Sequence, residues 1–401
     1  MRRVSVLLVV VLLAGCGSLK GESQALSQPT HELLYVATAT GMTIIDATTD
    51  AVVATLPTGT LLPDRSRYWS VQTGPRTTIR SFDPTTGAAT SAFDIAGSWS
   101  PPVAYGPAPS GISRSGAWMV LTASAGAQPG TPSSFAVVDL AGHRLDRVIT
   151  SAGDVSFDAV SDDGRNVYLV EHLVPSPHYV VRVASFQGNG LQDGVLGQIK
   201  TAEPEAMNGL YHTSVAVSGD WFLSLYTNPD RGPFIHALNT TQLYAQCILN
   251  MPDVPVALRS AWSMLLDAKR GLLYAVNGAG GVASEVDTTR LVVVRSSIDL
   301  APAATTLTTT PLHAAALSPD GSRIYAAAER GLLVLYTGDL SVHARYATDR
   351  RVDSVAVSDD GQRLYVAAAG SITRIEAATG RVVGTVSSAP VALGILAVGS
   401  R

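Results

Sequence analysis

Short apolar runs separated by tight clusters of Asp, Gly, Ser and Thr recur along the chain, and beyond residue 30 no stretch sustains a helical period over twelve residues. The clearest repeat is Ser318-Pro319-Asp320-Gly321-Ser322-Arg323-Ile324-Tyr325-Ala326-Ala327, which returns forty residues later as Ser358-Asp359-Asp360-Gly361-Gln362-Arg363-Leu364-Tyr365-Val366-Ala367. The same phrase opens earlier units at Ser161-Asp162-Asp163-Gly164 and at Asp267-Ala268-Lys269-Arg270-Gly271, with weaker forms at Ser113 and Ser218. Each is an apolar run, an Asp/Gly turn and a β-rich run, which predicts a hairpin of two strands, A and B. The aspartates at these places are read as turn formers rather than calcium ligands or paired acids, because Asp bonds its own backbone in such turns.

A second hairpin follows each first one, around Ile44 to Val53, Arg80 to Gly87 and Arg374 to Val383, with less regular counterparts near Val137, Val181, His236, Val293 and Leu333. These are strands C and D. The predicted fold class is therefore all-β, a β-propeller of four-stranded antiparallel blades spanning residues 31–401. Eight units are counted, with strands B near Tyr35, Tyr68, Val120, Tyr168, Leu223, Tyr274, Tyr325 and Tyr365; seven is the alternative, because the second unit is degenerate. The first unit begins at strand B, while the chain ends in an orphan strand, Val391 to Val398. That orphan is predicted to serve as strand A of the first blade, closing the ring and removing an open sheet edge.

Leu34-Tyr35-Val36-Ala37-Thr38, Leu273-Tyr274-Ala275-Val276-Asn277 and Leu364-Tyr365-Val366-Ala367-Ala368 resemble the Tyr-Val-Thr-Asn repeat propellers of bacterial and archaeal surface and exported proteins. The Thr-Asn half of the motif is mostly missing. The resemblance implies a fold and not a reaction. Turns at Asp83 and Glu376 look faintly like quinoprotein blades, but the tryptophan that ends that motif is absent from both, so no quinone cofactor is predicted.

The N-terminus changes the picture of where such a propeller works. Arg2 and Arg3 precede the apolar run Val4 to Leu13, followed by Ala14-Gly15-Cys16, the layout of a secretory signal over residues 1–15. The run is too short for the roughly twenty residues that cross a bilayer. Leu13-Ala14-Gly15-Cys16 resembles the lipobox of bacterial lipoproteins, which implies lipidation of Cys16 and a polar tether over residues 16–30. The expected location is extracytoplasmic, tethered to a membrane by that lipid. Charged residues make up 15% of the chain and its net charge is −4, with no basic stripe, which argues against nucleic acid as partner. The other cysteine, Cys247, lies in an apolar strand pattern and reads as a small hydrophobe.

Catalytic signatures are thin. The eight histidines show no metal-ligand spacing, and no nucleophile elbow or phosphate-cradling glycine loop with lysine occurs; no metal or cofactor is predicted. A four-stranded blade places its A–B and C–D connections on one face and its B–C and D–A connections on the other. The second kind read as long and irregular, at Ser98 to Gly106, Thr122 to Ser133, Glu171 to His178, Ala202 to Leu210, Thr227 to Pro233, Asn277 to Ala283 and Pro302 to Pro311. Counting back from each A–B turn puts Ser156, Thr213, Trp262, His313 and Asp353 at one equivalent position at this mouth, with His212 beside Thr213. Ordinary channel lining with bound water is the plain alternative for them. The favoured function is a non-catalytic, monomeric binding module for an envelope protein, a peptide or a glycan. The alternatives are a lactonase-like or hydrolase-like enzyme, with His313 as base oriented by Asp353, and an envelope-assembly scaffold.

Overall fold

A computed structural model describes residues 31–102, 111–123, 132–173, 178–185, 207–208, 210–216, 221–227, 232–301, 313–387 and 391–400. Among these residues eight antiparallel sheets of four strands each form the blades of a propeller ring. Blade 1 holds Glu32–Thr38, Gly41–Asp46 and Val52–Pro57 as strands B, C and D, and its strand A is the C-terminal Gly394–Ser400. The closure read from the orphan strand is therefore the one observed, with Leu34 opposite Val398 and Val36 opposite Ile395. Blades 2 and 3 run from Gly59 to Ala96 and from Trp99 to Ser151. Blade 4 runs from Val155 to Asn208, blade 5 from Leu210 to Asn250 and blade 6 from Ser263 to Ser297. Blades 7 and 8 run from Ala315 to Tyr346 and from Ser354 to Thr385. The degenerate second unit is a full blade, which decides for eight over seven.

The repeated residue types have local causes. In the A–B turns Ser161, Ser318 and Ser358 each donate a side-chain hydrogen bond to the aspartate two residues on, and the following Gly164, Gly321 and Gly361 take φ near +70°. Turn formation is thus what these aspartates do. In seven C–D hairpins the ladder slips by one residue, and the residues at positive φ there are Asp50, Gly87, His143, Leu243, Leu291, Leu340 and Gly380. Such a bulge increases the local twist of the outer strand. Blade 4 has the remaining C–D connection. Its residues 186–206 lie outside the described residues, and the stretch read as a loop at Ala202 to Leu210 contains the short outer strand Met207–Asn208.

The core is a series of seams between neighbouring blades. The strand B tyrosines Tyr68, Tyr168, Tyr274, Tyr325 and Tyr365 are all buried. Several use the phenol to tie chain segments together: Tyr168 donates to the Thr240 carbonyl in blade 5 at 2.7 Å, and Tyr365 bonds the buried Glu32 of blade 1. A tyrosine suits this position because its ring fills the seam while its hydroxyl reaches a polar partner. Polar contacts lock the turn face as well. Arg114 and the backbone of Ser115 both bind Asp162 of the next blade, and Arg65 reaches Asp359 and the Val398 carbonyl across the closure.

Candidate functional site

At the mouth formed by the B–C and D–A connections, the starts of the inner strands carry the residues picked out by sequence. His313 and Asp353 open neighbouring strands A, and the His313 carbonyl accepts the Val355 amide at 3.1 Å, which fixes blade 7 against blade 8. His313 is exposed, and its backbone lies at φ 57°, outside any hairpin turn. A non-glycine residue in that region is strained and persists only where its surroundings enforce it. Asp353 is half-buried, and its Oδ2 accepts the Ala369 amide at 3.0 Å. That bond turns the carboxylate toward its own blade. No hydrogen bond joins His313 to Asp353 among the described residues, so the dyad required by the hydrolase reading is not formed here.

Ser156 and Thr213 do not share that level. Ser156 pairs with Val170, two residues beyond Tyr168, just as Ser354 pairs with Ala367, two beyond Tyr365, and Ser263 with Val276, two beyond Tyr274. Ser156 is therefore the counterpart of Ser354 and Ser263, one step deeper than Asp353. The cause is a bulge between Phe157 and Ala159 that makes Asp158 an extra residue, which counting from the turn does not detect. Thr213 pairs with Leu225, two residues beyond Leu223, and so stands at the same level as Ser354, while a second bulge between Tyr211 and Thr213 makes His212 the extra residue of blade 5. The Ser156 hydroxyl is 3.1 Å from His172 Nε2, and Thr213 is half-buried. Trp262 is 3% exposed and packs in the seam of blades 5 and 6 with Leu258, Leu273 and Ala275. It is a core residue, contrary to the expectation that it borders the channel.

Sequence counting missed Ser354, which is fully buried. Its Oγ accepts the Ile395 amide at 3.0 Å and so joins the inner strands of blades 8 and 1. The signal that marks it is register, which only the pairing supplies. Loop predictions fare unevenly. Asn277 to Ala283 is a tight turn between Leu272–Asn277 and Val282–Asp287, not a long connection. Residues 103–106, 124–131, 174–177, 202–206, 228–231 and 302–311 of the predicted loops lie outside the described residues, as does Cys16.

The mouth face also carries exposed aliphatic surface. Five large apolar side chains are more than half exposed among the described residues: Val391 at 77%, Val256 at 74%, Ile298 at 62%, Val382 at 55% and Leu393 at 54%. Four of them, all but Val382, lie in D–A connections and so share one face. No group of three or more His, Cys, Asp or Glu side chains among the described residues is arranged to hold a metal ion.

The fold places the chain among eight-bladed β-propellers. No protein-family model and no curated protein matches the sequence. Similar solved structures include AztD from Citrobacter koseri, with a TM-score of 0.56 at 13% identity over 93% of this chain and 98% of that one. Apo AztD from the same organism gives 0.51 at 13% identity, over 92% and 98%. The dihydro-heme d1 dehydrogenase NirN in complex with DHE gives 0.52 at 13% identity, over 92% of this chain and 75% of that one. At such identity these likenesses establish the fold alone.

Proposed function

We propose that the chain is an extracytoplasmic binding module, held to a membrane by lipid on Cys16, which takes its ligand at the mouth face around His313 and Asp353. The gathering of Val256, Ile298, Val391 and Leu393 in the D–A connections carries this reading. Exposed aliphatic side chains scattered singly need no explanation, but their concentration on one face beside a strained histidine and a carboxylate suits a docking surface. NirN, solved with DHE bound, illustrates that a propeller of this class can hold a small molecule. The ligand class favoured for this chain is an envelope protein, a peptide or a glycan. The Tyr-Val-Thr-Asn repeat family, the signal over residues 1–15 and the tether over residues 16–30 belong to the same reading. No helix among the described residues is long and apolar enough to cross a membrane, and the lipid supplies the attachment instead.

Titration of a panel of envelope peptides and glycans against the wild type and four variants tests the site. Relative to wild type, Leu393→Ser and Asp353→Asn are expected to weaken binding, while Asp320→Asn on the opposite face leaves it unchanged. Loss confined to the Asp320 variant places the site on the turn face and overturns the assignment. Loss of turnover in His313→Ala with binding retained would favour the enzyme instead.

A further inference from the structure

The seam between blades 4 and 5 contains an acid and a base that no part of the site uses. Asp158, the extra residue of the strand A bulge, is 1% exposed, and His236 on strand C of blade 5 is 2% exposed. Neither His236 nitrogen has a hydrogen-bond partner among the described residues, and the Asp158 carboxyl meets the Tyr226 hydroxyl. Both side chains abut Tyr226, whose ring meets His236 edge-on at 6.3 Å and whose hydroxyl faces Asp158. That ring stacks between Tyr179 of blade 4 and Phe234, each 5.4 Å away. Around them lie Ala159, Tyr168, Val170, Val181, Val183 and Leu238. The titratable groups facing this seam are Asp158, Tyr168, Tyr179, Tyr226 and His236, with His172 at its mouth end held to Ser156. The nearby Glu171 and Arg182 pair with each other at 2.7 Å. Burial pushes the Asp158 carboxyl up to about 7, outweighing the Tyr226 hydroxyl, and drops the His236 imidazole to about 4. Between those values the acid is protonated and the base is neutral.

We propose that this seam is the place where the ring opens, closed as an un-ionised acid–base couple and ionised on both sides when it parts. Opening returns both groups to water. The Asp158 proton passes to solvent, and His236 takes one from solvent, so that a carboxylate and an imidazolium replace two neutral groups. At the seam of blades 8 and 1 the buried Glu32 is already bonded by Tyr365, and at the seam of blades 7 and 8 the Tyr346 hydroxyl donates to the Ala377 carbonyl at 2.8 Å.

The couple has an uncommon signature. Solvated Asp ionises near its ordinary value of 3.8 and solvated His near 6.5. Rising pH therefore favours opening through Asp158 and disfavours it through His236, each about tenfold per unit between roughly pH 4 and 6.5. One proton leaves as one arrives, and the two slopes cancel. The wild-type seam should open independently of pH across that window, and each single variant should uncover the slope of the other group.

Hydrogen exchange followed by mass spectrometry on the full chain, corrected for the chemical rate at each pH, reads this directly. Peptides covering 155–172, 178–185 and 221–239 are expected to open more readily than those covering 32–38 and 363–376, with a flat profile from pH 4.5 to 6.5. In Asp158→Asn opening should rise about tenfold per unit as pH falls through this range; in His236→Phe it should rise about tenfold per unit as pH increases. A flat profile in either variant, or a wild-type seam that opens no more than the blade 8 to 1 seam, overturns the proposal. If neither variant folds, infrared titration of the wild type decides. A protonated carboxyl with a midpoint near 7 that persists in Glu32→Gln supports the couple, and its absence refutes it.

Discussion

Ending the chain at residue 390 tests the ring closure on which the architecture rests. The deletion removes Ile395, Val398 and Ala392 from the seam of blades 8 and 1, all buried, and uncovers Leu34 and Val36, neither of which is exposed in the intact protein. Losing the buried Ile and Val alone costs about 1.5–3 kcal/mol apiece. The ladder along Glu32 to Ala37 disappears as well, Ser354 Oγ loses the Ile395 amide, and Arg65 loses the Val398 carbonyl, at about 1 kcal/mol for each bond. The loss is of the same order as the whole stability of a typical domain, about 5–15 kcal/mol. It also leaves strand B of blade 1 as a bare edge, inviting association. Urea denaturation with size-exclusion chromatography measures both effects: the expected result is a protein that is largely unfolded or associated without denaturant. Ile395→Ala is the graded version and should cost about 2–5 kcal/mol, read from the shift of the urea midpoint. A truncated protein with the wild-type midpoint that remains monomeric refutes the shared blade.

Trp262→Ala should destabilise by about 3–5 kcal/mol, because it empties a packed seam; a midpoint within error of wild type would return Trp262 to the channel. Tyr365→Phe leaves the buried Glu32 carboxyl without its phenol donor and should cost about 1–3 kcal/mol, whereas Tyr336→Phe, on a half-exposed ring, should cost almost nothing; thermal denaturation separates the two. Bonds from Ser318 and Ser322 draw the Asp320 carboxyl down to about 2, so its contribution is present above pH 3.8 and fades as pH falls toward 2. Asp320→Asn should therefore be less stable than wild type at pH 7 and equal to it near pH 2, in denaturation curves at both values. Cys16→Ser should lose the acyl mass and the membrane attachment while the propeller still folds, as mass spectrometry of the mature N-terminus and fractionation would record.

The repeat made the fold legible. Tyr35, Tyr168, Tyr274, Tyr325 and Tyr365 stand at one strand B position in five of the eight blades, because a ring there fills the seam with the next blade. Aspartates followed by glycine marked the A–B turns for an equally local reason. The candidate site was less legible, since it depends on which inner-strand residues stand side by side across blades. A single extra residue at Asp158 moved Ser156 to a different level from Asp353, and nothing in the local composition announces a bulge. Trp262 misled for the opposite reason. Its place at the head of an inner strand suggested the channel, but the 3-10 turn Val256–Ala261 immediately before it delivers the side chain into the seam instead.

Inner-strand bulges occur in blades 1, 4 and 5 among the described residues, and blades 4 and 5 are the neighbouring pair in which both inner ladders are interrupted. The tyrosine of blade 4 still ties the two, since Tyr168 donates to the Thr240 carbonyl. A propeller needs all its seams to hold, and an interrupted ladder on both sides of a seam lowers the cost of parting it locally. The buried acid and base lie in that same seam. If the molecule changes shape on binding at its mouth, the ring should part between blades 4 and 5, because opening there solvates Asp158, which meets the Tyr226 hydroxyl, and His236, whose ring nitrogens have no hydrogen-bond partner among the described residues.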